Sequence, residues 1–362
     1  VNIMSLTAKR RVHWGWTRTV VAAMVALIVA PAIVASGQEV VGRWPEGPTQ
    51  MVARIDNVAL IPSGRVVRTY DVSDPTEPAK LGSVVLPGAV VDADVANGYA
   101  YTTVKGVGLV IVDVRDPAAP VLVPDAVYPV PGVARTVTVA ESTGGDFVLV
   151  TVDDDHNGAL VVFLMVSPTE LFEGWRVEGT HQSPILDVAV HDGLVYVVDT
   201  KLRVFEIPPH VSTELGSVDV SVWGTKGVAV ADDRAYIGSI VGSTFGTEHY
   251  IRVFDVSDPE NPVPLLPSTQ QGSAIGLAVD PAAGVVASAG PDLYLTSTDD
   301  APGPGLIGEY RGGDRPTDLS LASGVVIAAY YSTGAHLVDI SDPTAPTALA
   351  IIESVGEPRG LR

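Results

Sequence analysis

The sequence predicts an all-β protein: a β-propeller of about seven four-stranded antiparallel blades behind an N-terminal export segment. Three observations carry that expectation. A short motif recurs seven times at a near-constant period, strand-type residues fill the stretches between copies, and no sustained helical periodicity follows the first 36 residues. Repetition at 40–45 residues with four strands per unit is the mark of a propeller blade, since a lone blade cannot bury both of its faces.

The first element is the leader. KRRVHWGWTR supplies Lys9, Arg10, Arg11 and Arg18, the apolar run VVAAMVALIVAPAIVA covers 20–35, and small residues end it at ASG (35–37). A basic region, an apolar core and a small-residue end, in that order, are the parts of a cleavable export signal. The apolar run is 16 residues long and interrupted by Pro31, shorter than the roughly 20 residues of a spanning helix. Residues 1–36 are therefore read as a signal peptide, with an uncleaved N-terminal anchor as the alternative, and 37–362 as a single propeller domain. That places the protein outside the cytoplasm, secreted or at the cell surface.

Composition narrows the partners. The chain is 46% apolar and 18% charged, enough for a large core. Lys and Arg number 22 against 42 Asp and Glu, a net charge of −20. Loss of the leader removes four basic residues and no acid, giving −24. So acidic a surface repels nucleic-acid phosphate and anionic lipid, so no nucleic-acid partner is expected and membrane contact only through an uncleaved leader. The chain has no cysteine, which excludes disulfides and thiolate metal sites.

The repeats come next. VVRTYDVSDPTEP (66–78), LVIVDVRDPAAP (109–120), IRVFDVSDPENP (251–262) and AHLVDISDPTAP (335–346) are near copies. LVVFLMVSPTEL (160–171), LRVFEIPP (202–209) and LYLTSTDD (293–300) are weaker ones. Their centres are Asp71, Asp113, Leu164, Glu206, Asp255, Thr296 and Asp339, spaced by 42, 51, 42, 49, 41 and 43 residues. Around each copy the order is the same: a stretch such as AVVDADVANG (89–98), then YAYTTV (99–104), then the motif, then KLGSVVL (80–86) or ELGSVDV (214–220). Val, Ile, Tyr and Thr with Gly, Pro, Asn and Asp between them read as strands and turns.

LVIVD at 109–113, with the DVSDP and DISDP tails at 71–75, 255–259 and 339–343, resembles the LVIVD-repeat family. The likeness spans roughly 47–360. It implies a β-propeller in exported or surface-associated prokaryotic proteins and implies no enzymatic activity. The third, fourth and sixth units depart from the family pattern at the motif Asp. At the two ends, 39–48 resembles a fourth strand and 355–362 the start of a first strand, a half-unit at each end, so either the ends overlap to latch the ring or the chain is cut short.

The Asp-x-x-Asp-Pro tail could be a catalytic pair, a metal clamp or a turn. Four copies around a rim suit a turn, with Pro75, Pro117, Pro259 and Pro343 fixing φ and the preceding Asp accepting backbone amides. Candidate sites are sought on the other face, which collects the second-to-third-strand loops. In VDDDHNGAL (152–160), Asp153, Asp155 and Asn157 with Gly158 match the first half of a calcium loop, although Val161 and Leu164 stand where its last ligands belong. The plainer reading is a hairpin turned by Asn157-Gly158. VGSTFGTEHYI (241–251) carries Phe245, Glu248 and His249, suited to a glycan or protein partner, or simply a solvated loop. At the channel mouth the first strands offer Asp94, Asp187 and Asp318 at one level, with Arg135, Lys226 and Thr317 beside them. These form a polar pocket, or they bond backbone and lock blades. No zinc, phosphate-loop, dinucleotide or serine-elbow pattern is present. The expected function is a non-catalytic binding or scaffold module for an extracellular protein or glycan. The alternative is a hydrolase or lyase with acids at the channel mouth, assisted by calcium.

Overall fold

A computed structural model describes residues 47–353 except 143–144, 155–156, 180–183, 207–212, 221–224, 244–245, 271–275 and 299–304. The leader 1–36 and residues 39–46 and 354–362 lie outside the described residues. The described chain forms seven sheets, each of four strands in sequence order and each antiparallel throughout. Blades 1 to 7 span residues 53–85, 90–128, 133–178, 187–219, 225–270, 277–310 and 316–352. No helix occurs among the described residues. The seven-bladed propeller read from the repeat is the fold observed.

The apolar motif marks the third strand of each blade because the middle strands are sandwiched between neighbouring blades. In blade 2 all six residues of the second strand, Tyr99–Val104, are buried, as are Gly108 to Val112 of the third. The fourth strand, Val121–Tyr128, lies at the rim and is largely exposed or half-buried. The core is thus a series of layers between blades. One layer joins Tyr101, Leu109 and Ile111 of blade 2 to Val148, Val150 and Val161 of blade 3. Each such side chain contributes about 1.5–3 kcal/mol when fully buried. First and second strands join through tight turns such as Asn97-Gly98 and Asp192-Gly193, both residues at positive φ (53° and 77°, 49° and 74°), the geometry of a type I′ hairpin.

The Asp-x-x-Asp-Pro tail is a double turn. Asp255 Oδ1 accepts the Ser257 amide (3.0 Å) and Asp258 Oδ1 accepts the Glu260 amide (3.1 Å). Asp71 and Asp74, Asp113 and Asp116, and Asp339 and Asp342 do the same with residues two further on. After each second Asp a backbone bond closes the turn, as from Asn261 N to Asp258 O (3.0 Å). The residue after each first Asp donates to the first hairpin turn of its own blade, Val114 to Gly98 and Ile340 to Gly324. These turns therefore share one face with the first-to-second-strand hairpins.

They also seat against the neighbouring blade. A Cβ at Gly82 in the fourth strand of blade 1 would lie 2.5 Å from Pro120 Cδ and 2.7 Å from the carbonyls of Pro117 and Ala118 in the blade 2 turn. Gly216 of blade 4 meets Pro259 and Glu260 of blade 5 likewise, and Gly308 of blade 6 meets Pro343 of blade 7. Each of these glycines pairs with the residue two before the motif centre, as Gly82 does with Thr69 and Gly308 with Leu295. A side chain there would push the turn away. At the seam between blades 7 and 1 the same position is Ala350, opposite Leu337, and a cavity of about 170 Å³ lies between Val72, Pro75, Ile327 and Leu337.

The ring closes without strand exchange among the described residues. Ala59 and Ile61 of blade 1 pack on Ala329 and Leu337 of blade 7, and Val52 N donates to Asp318 Oδ2 (2.9 Å). One repeat centre moves: Val285 pairs with Ser297 as Val325 pairs with Asp339, so Ser297 rather than Thr296 is level with the other centres.

Candidate functional site at the channel mouth

The first strand of each blade lines the axis, and its start defines a level around the channel. Counting by strand pairing, that level is held by Asp92 opposite Thr103, Asp187 opposite Val198, Gly227 opposite Gly238 and Asp318 opposite Ala329. Asp92, not Asp94, is therefore the equivalent of Asp187 and Asp318. Both acids of Asp-Ala-Asp suit the pattern. The register is decided by the hairpin turn, because Gly98, Gly193 and Gly324 each stand six residues after the level Asp. A β-bulge precedes the level in blades 2, 5 and 7. The residues left unpaired by it, Val91, Lys226 and Thr317, stand one position earlier. Bulges are common beside sites because they re-aim a side chain.

A cavity of about 460 Å³ opens here. Asp92, Asp187 and Asp318 all line it, together with Arg135, Thr136, Asp153 and Thr317. Asp153 sits at the end of the second strand of blade 3, so the mouth is on the face of the second-to-third-strand hairpins, away from the Asp-Pro turns.

Each axial carboxylate is already engaged. Asp92 Oδ2 accepts the amide of Val137 (2.8 Å) in blade 3, Asp187 Oδ2 that of Val228 (2.9 Å) in blade 5, and Asp318 Oδ2 that of Val52 (2.9 Å) in blade 1. Asp187 Oδ1 takes the following amide, Val188 (2.9 Å). Asp92 and Asp318 likewise receive Ala93 and Leu319. Asp94 repeats the device two residues on, accepting Val139 of blade 3 (2.8 Å) and Val95 (2.8 Å). These acids fasten the first strand of one blade to the next. Such bonds favour the ionised form, yet desolvation inside the ring outweighs them. Burial, followed by the charges of Asp318 and Asp187, holds Asp92 well above the usual carboxylate range. Burial pushes Asp187 up to about 7 and Asp318 to about 6, and raises Asp94 too.

Arg135 lies at the rim with its side chain half exposed and bonds Asp153 Oδ2 at 2.9 Å. The side chain of Lys226 is outside the described residues, as is that of Asn157 and the whole of Asp155. In the 152–160 hairpin, Asp153 pairs with Gly158 and Asp154 with Asn157. The pairing therefore runs as far as Asp154 and Asn157, and Asn157-Gly158, expected to make the turn, already belongs to the third strand. In blade 5 the hairpin continues to Ser243 opposite Gly246, with Glu248 opposite Val241 and His249 opposite Ile240. Phe245 and the side chains of Glu248 and His249 lie outside the described residues. The second strand of blade 5 has 10 residues against 6 in blade 2, so this hairpin stands roughly 13 Å further out. Among the described residues no group of three acidic or histidine side chains converges as a metal site.

The LVIVD repeat family matches the chain at residues 87–125 and 333–353, overlapping blades 2 and 7. No curated protein matches the sequence. Among solved structures, Sqt1 of Saccharomyces cerevisiae is similar at 9% identity over 86% of each chain, with a TM-score of 0.58. The β-propeller domain of Cps50 (Swd1) from Myceliophteria thermophila is similar at 10% identity over 80% of this chain and 93% of that one, TM-score 0.60. A candidate 6-phosphogluconolactonase from Bacteroides uniformis is similar at 12% identity over 80% and 92%, TM-score 0.63. Likeness at these identities shows the fold alone.

Proposed function

We propose that this propeller with LVIVD repeats is an exported, non-catalytic binding or scaffold module that takes a protein or glycan partner on the face carrying the channel mouth. The observation that carries the reading is the engagement of the axial acids. Each of Asp92, Asp187 and Asp318 holds backbone amides of two blades, so the carboxylates at the mouth serve the ring rather than a substrate. The blade 3 and blade 5 hairpins extend the same face, and the turn face is occupied by local bonds. Export rests on the leader 1–36, and N-terminal sequencing of the mature protein tests it.

The hydrolase or lyase reading has one observation in its favour, the raised Asp187 and Asp318 beside Arg135, since perturbed carboxylates in a cleft are frequent catalytic groups. Both oxygens of Asp187 already accept backbone amides, and Asp318 likewise holds Val52 and Leu319, so neither carboxyl is turned toward a substrate, and that weighs against it. Calcium between Asp153, Asp155 and Asn157 would have to displace Arg135 from Asp153.

The test replaces residues 242–247 by a two-residue turn and compares binding on glycan and surface-protein arrays with the intact protein. Loss of binding with an unchanged melting temperature supports the assignment. Unchanged binding by the trimmed protein removes that hairpin from the partner surface.

A further inference from the structure

We propose that Asp92, Asp187 and Asp318 act together as a proton-operated fastener at the axis of the ring: as the cavity takes up protons between mildly alkaline and mildly acid pH, the seams between blades 2 and 3, 4 and 5, and 7 and 1 tighten. Three carboxylates from non-adjacent blades share one cavity. Each accepts a backbone amide of the next blade's inner strand (Val137, Val228) or of the residue just before it (Val52). When all three are ionised they repel across the channel and lack full hydration. Neutralising them removes both costs, while an oxygen of each still accepts its amide.

Among the described side chains there is little compensating charge. Blade 3 brings Arg135, already paired with Asp153 of its second strand, and neutral Thr136, bonded to Thr151. Blade 1 brings Gln50 and Met51, blade 6 brings Gly276 and Leu277, and blade 7 adds Thr317. Asp94 lies two residues along blade 2 and feels Glu141, which adds negative charge. Blade 5 contributes Gly227 at the level and Lys226 one position earlier, whose side chain is not among those described. The seam between blades 7 and 1 depends most on this device, because Asp318 to Val52 is its axial bond and Ala350 stands where three other seams have a close-seated glycine.

The direction follows from linkage. A carboxylate raised on folding leaves the folded protein holding more protons than the unfolded chain, so stability falls as pH rises through the raised values. For Asp187 and Asp318 that window runs from the ordinary 3.8 up to about 7 and about 6. His336, lowered by burial, works the other way below about pH 6.5, at a site in blade 7 bonded to Tyr310 and Thr333.

Amide hydrogen exchange tests the proposal on the intact protein. After correction for intrinsic rates, protection of Val52, Val137 and Val228 is expected to be about tenfold higher at pH 5.5 than at pH 8. Val114 and Ile340 on the turn face serve as references and should change less. Asp187→Asn should abolish the pH dependence at Val228 while leaving that at Val52. Should that variant fail to fold, carboxyl-carbon titration of the unaltered protein decides: aspartate midpoints near 7 and near 6 are expected, with that of Asp92 above the ordinary range. Protection that is flat with pH, or that moves equally at Val114 and Ile340, overturns the fastener, as do aspartate midpoints all below pH 5.

Discussion

The two faces of the ring use aspartate in opposite ways. On the turn face, Asp71, Asp74, Asp113, Asp255 and Asp342 bond amides and side chains two residues on (hydroxyls, or for Asp113 the Arg115 guanidinium), stay in contact with water, and are held below the ordinary carboxylate range, chiefly by those side-chain bonds. At the channel mouth, Asp92, Asp94, Asp187 and Asp318 bond across to the next blade and are pushed up by burial. The same residue type therefore makes local turns where solvent pays for its charge, and long-range fasteners where solvent is scarce. The difference teaches that acid-rich motifs in this chain report on architecture first.

Breaking the turn face should cost most. Gly308→Val drives a branched side chain into the Pro343 carbonyl, backbone that cannot yield. A loss of about 3 kcal/mol or more is expected in urea denaturation. A loss below about 1 kcal/mol would show that the turn is not seated on that glycine.

Breaking one channel-side fastener should cost less. Asp94→Ala leaves the Val95 and Val139 amides without their acceptor, a loss of about 1–3 kcal/mol that is offset in part above neutral pH by removal of a desolvated charge. Equal losses at pH 5 and pH 8 would contradict the burial argument.

Acid titration separates the faces directly. Turn-face carboxylates, lowered on folding, give stability that is present above 3.8 and lost as pH falls through their lower folded values. The axial group gives stability that is lost as pH rises through about 6 to 7. The melting temperature should therefore peak between about pH 4 and 6. A maximum above pH 7.5 would reverse the balance. The smallest effect concerns calcium: because Arg135 already holds Asp153, EDTA should leave the melting temperature unchanged, and a fall would establish a metal at 153–157.

Much of this fold can be read from the chain because its cues are local. The Asp-Pro turns bond residues two apart, and the apolar third strand is continuous because it is buried on both sides. What could not be read depends on contacts between units. Gly82, Gly216 and Gly308 look like weak points in edge strands, and their purpose emerges only when a turn some forty residues away rests on them. At the channel mouth, Asp187, Asp318 and Arg135 were legible as a cluster, but Asp94 stood in for Asp92. The bulge before Asp92 hides the level, and counting six back from Gly98 restores it. That these acids bond the next blade's amides has no signal in composition at all.

The central claim, that the partner surface is the channel-mouth face, is tested most directly by a matched pair of charge reversals. Arg135→Glu alters the mouth and Arg115→Glu the turn face, each breaking one exposed ion pair. Binding to whichever glycan or protein the intact molecule selects on an array should be lost only with Arg135→Glu, at equal melting temperatures. Loss with Arg115→Glu and retention with Arg135→Glu would place the partner on the opposite face.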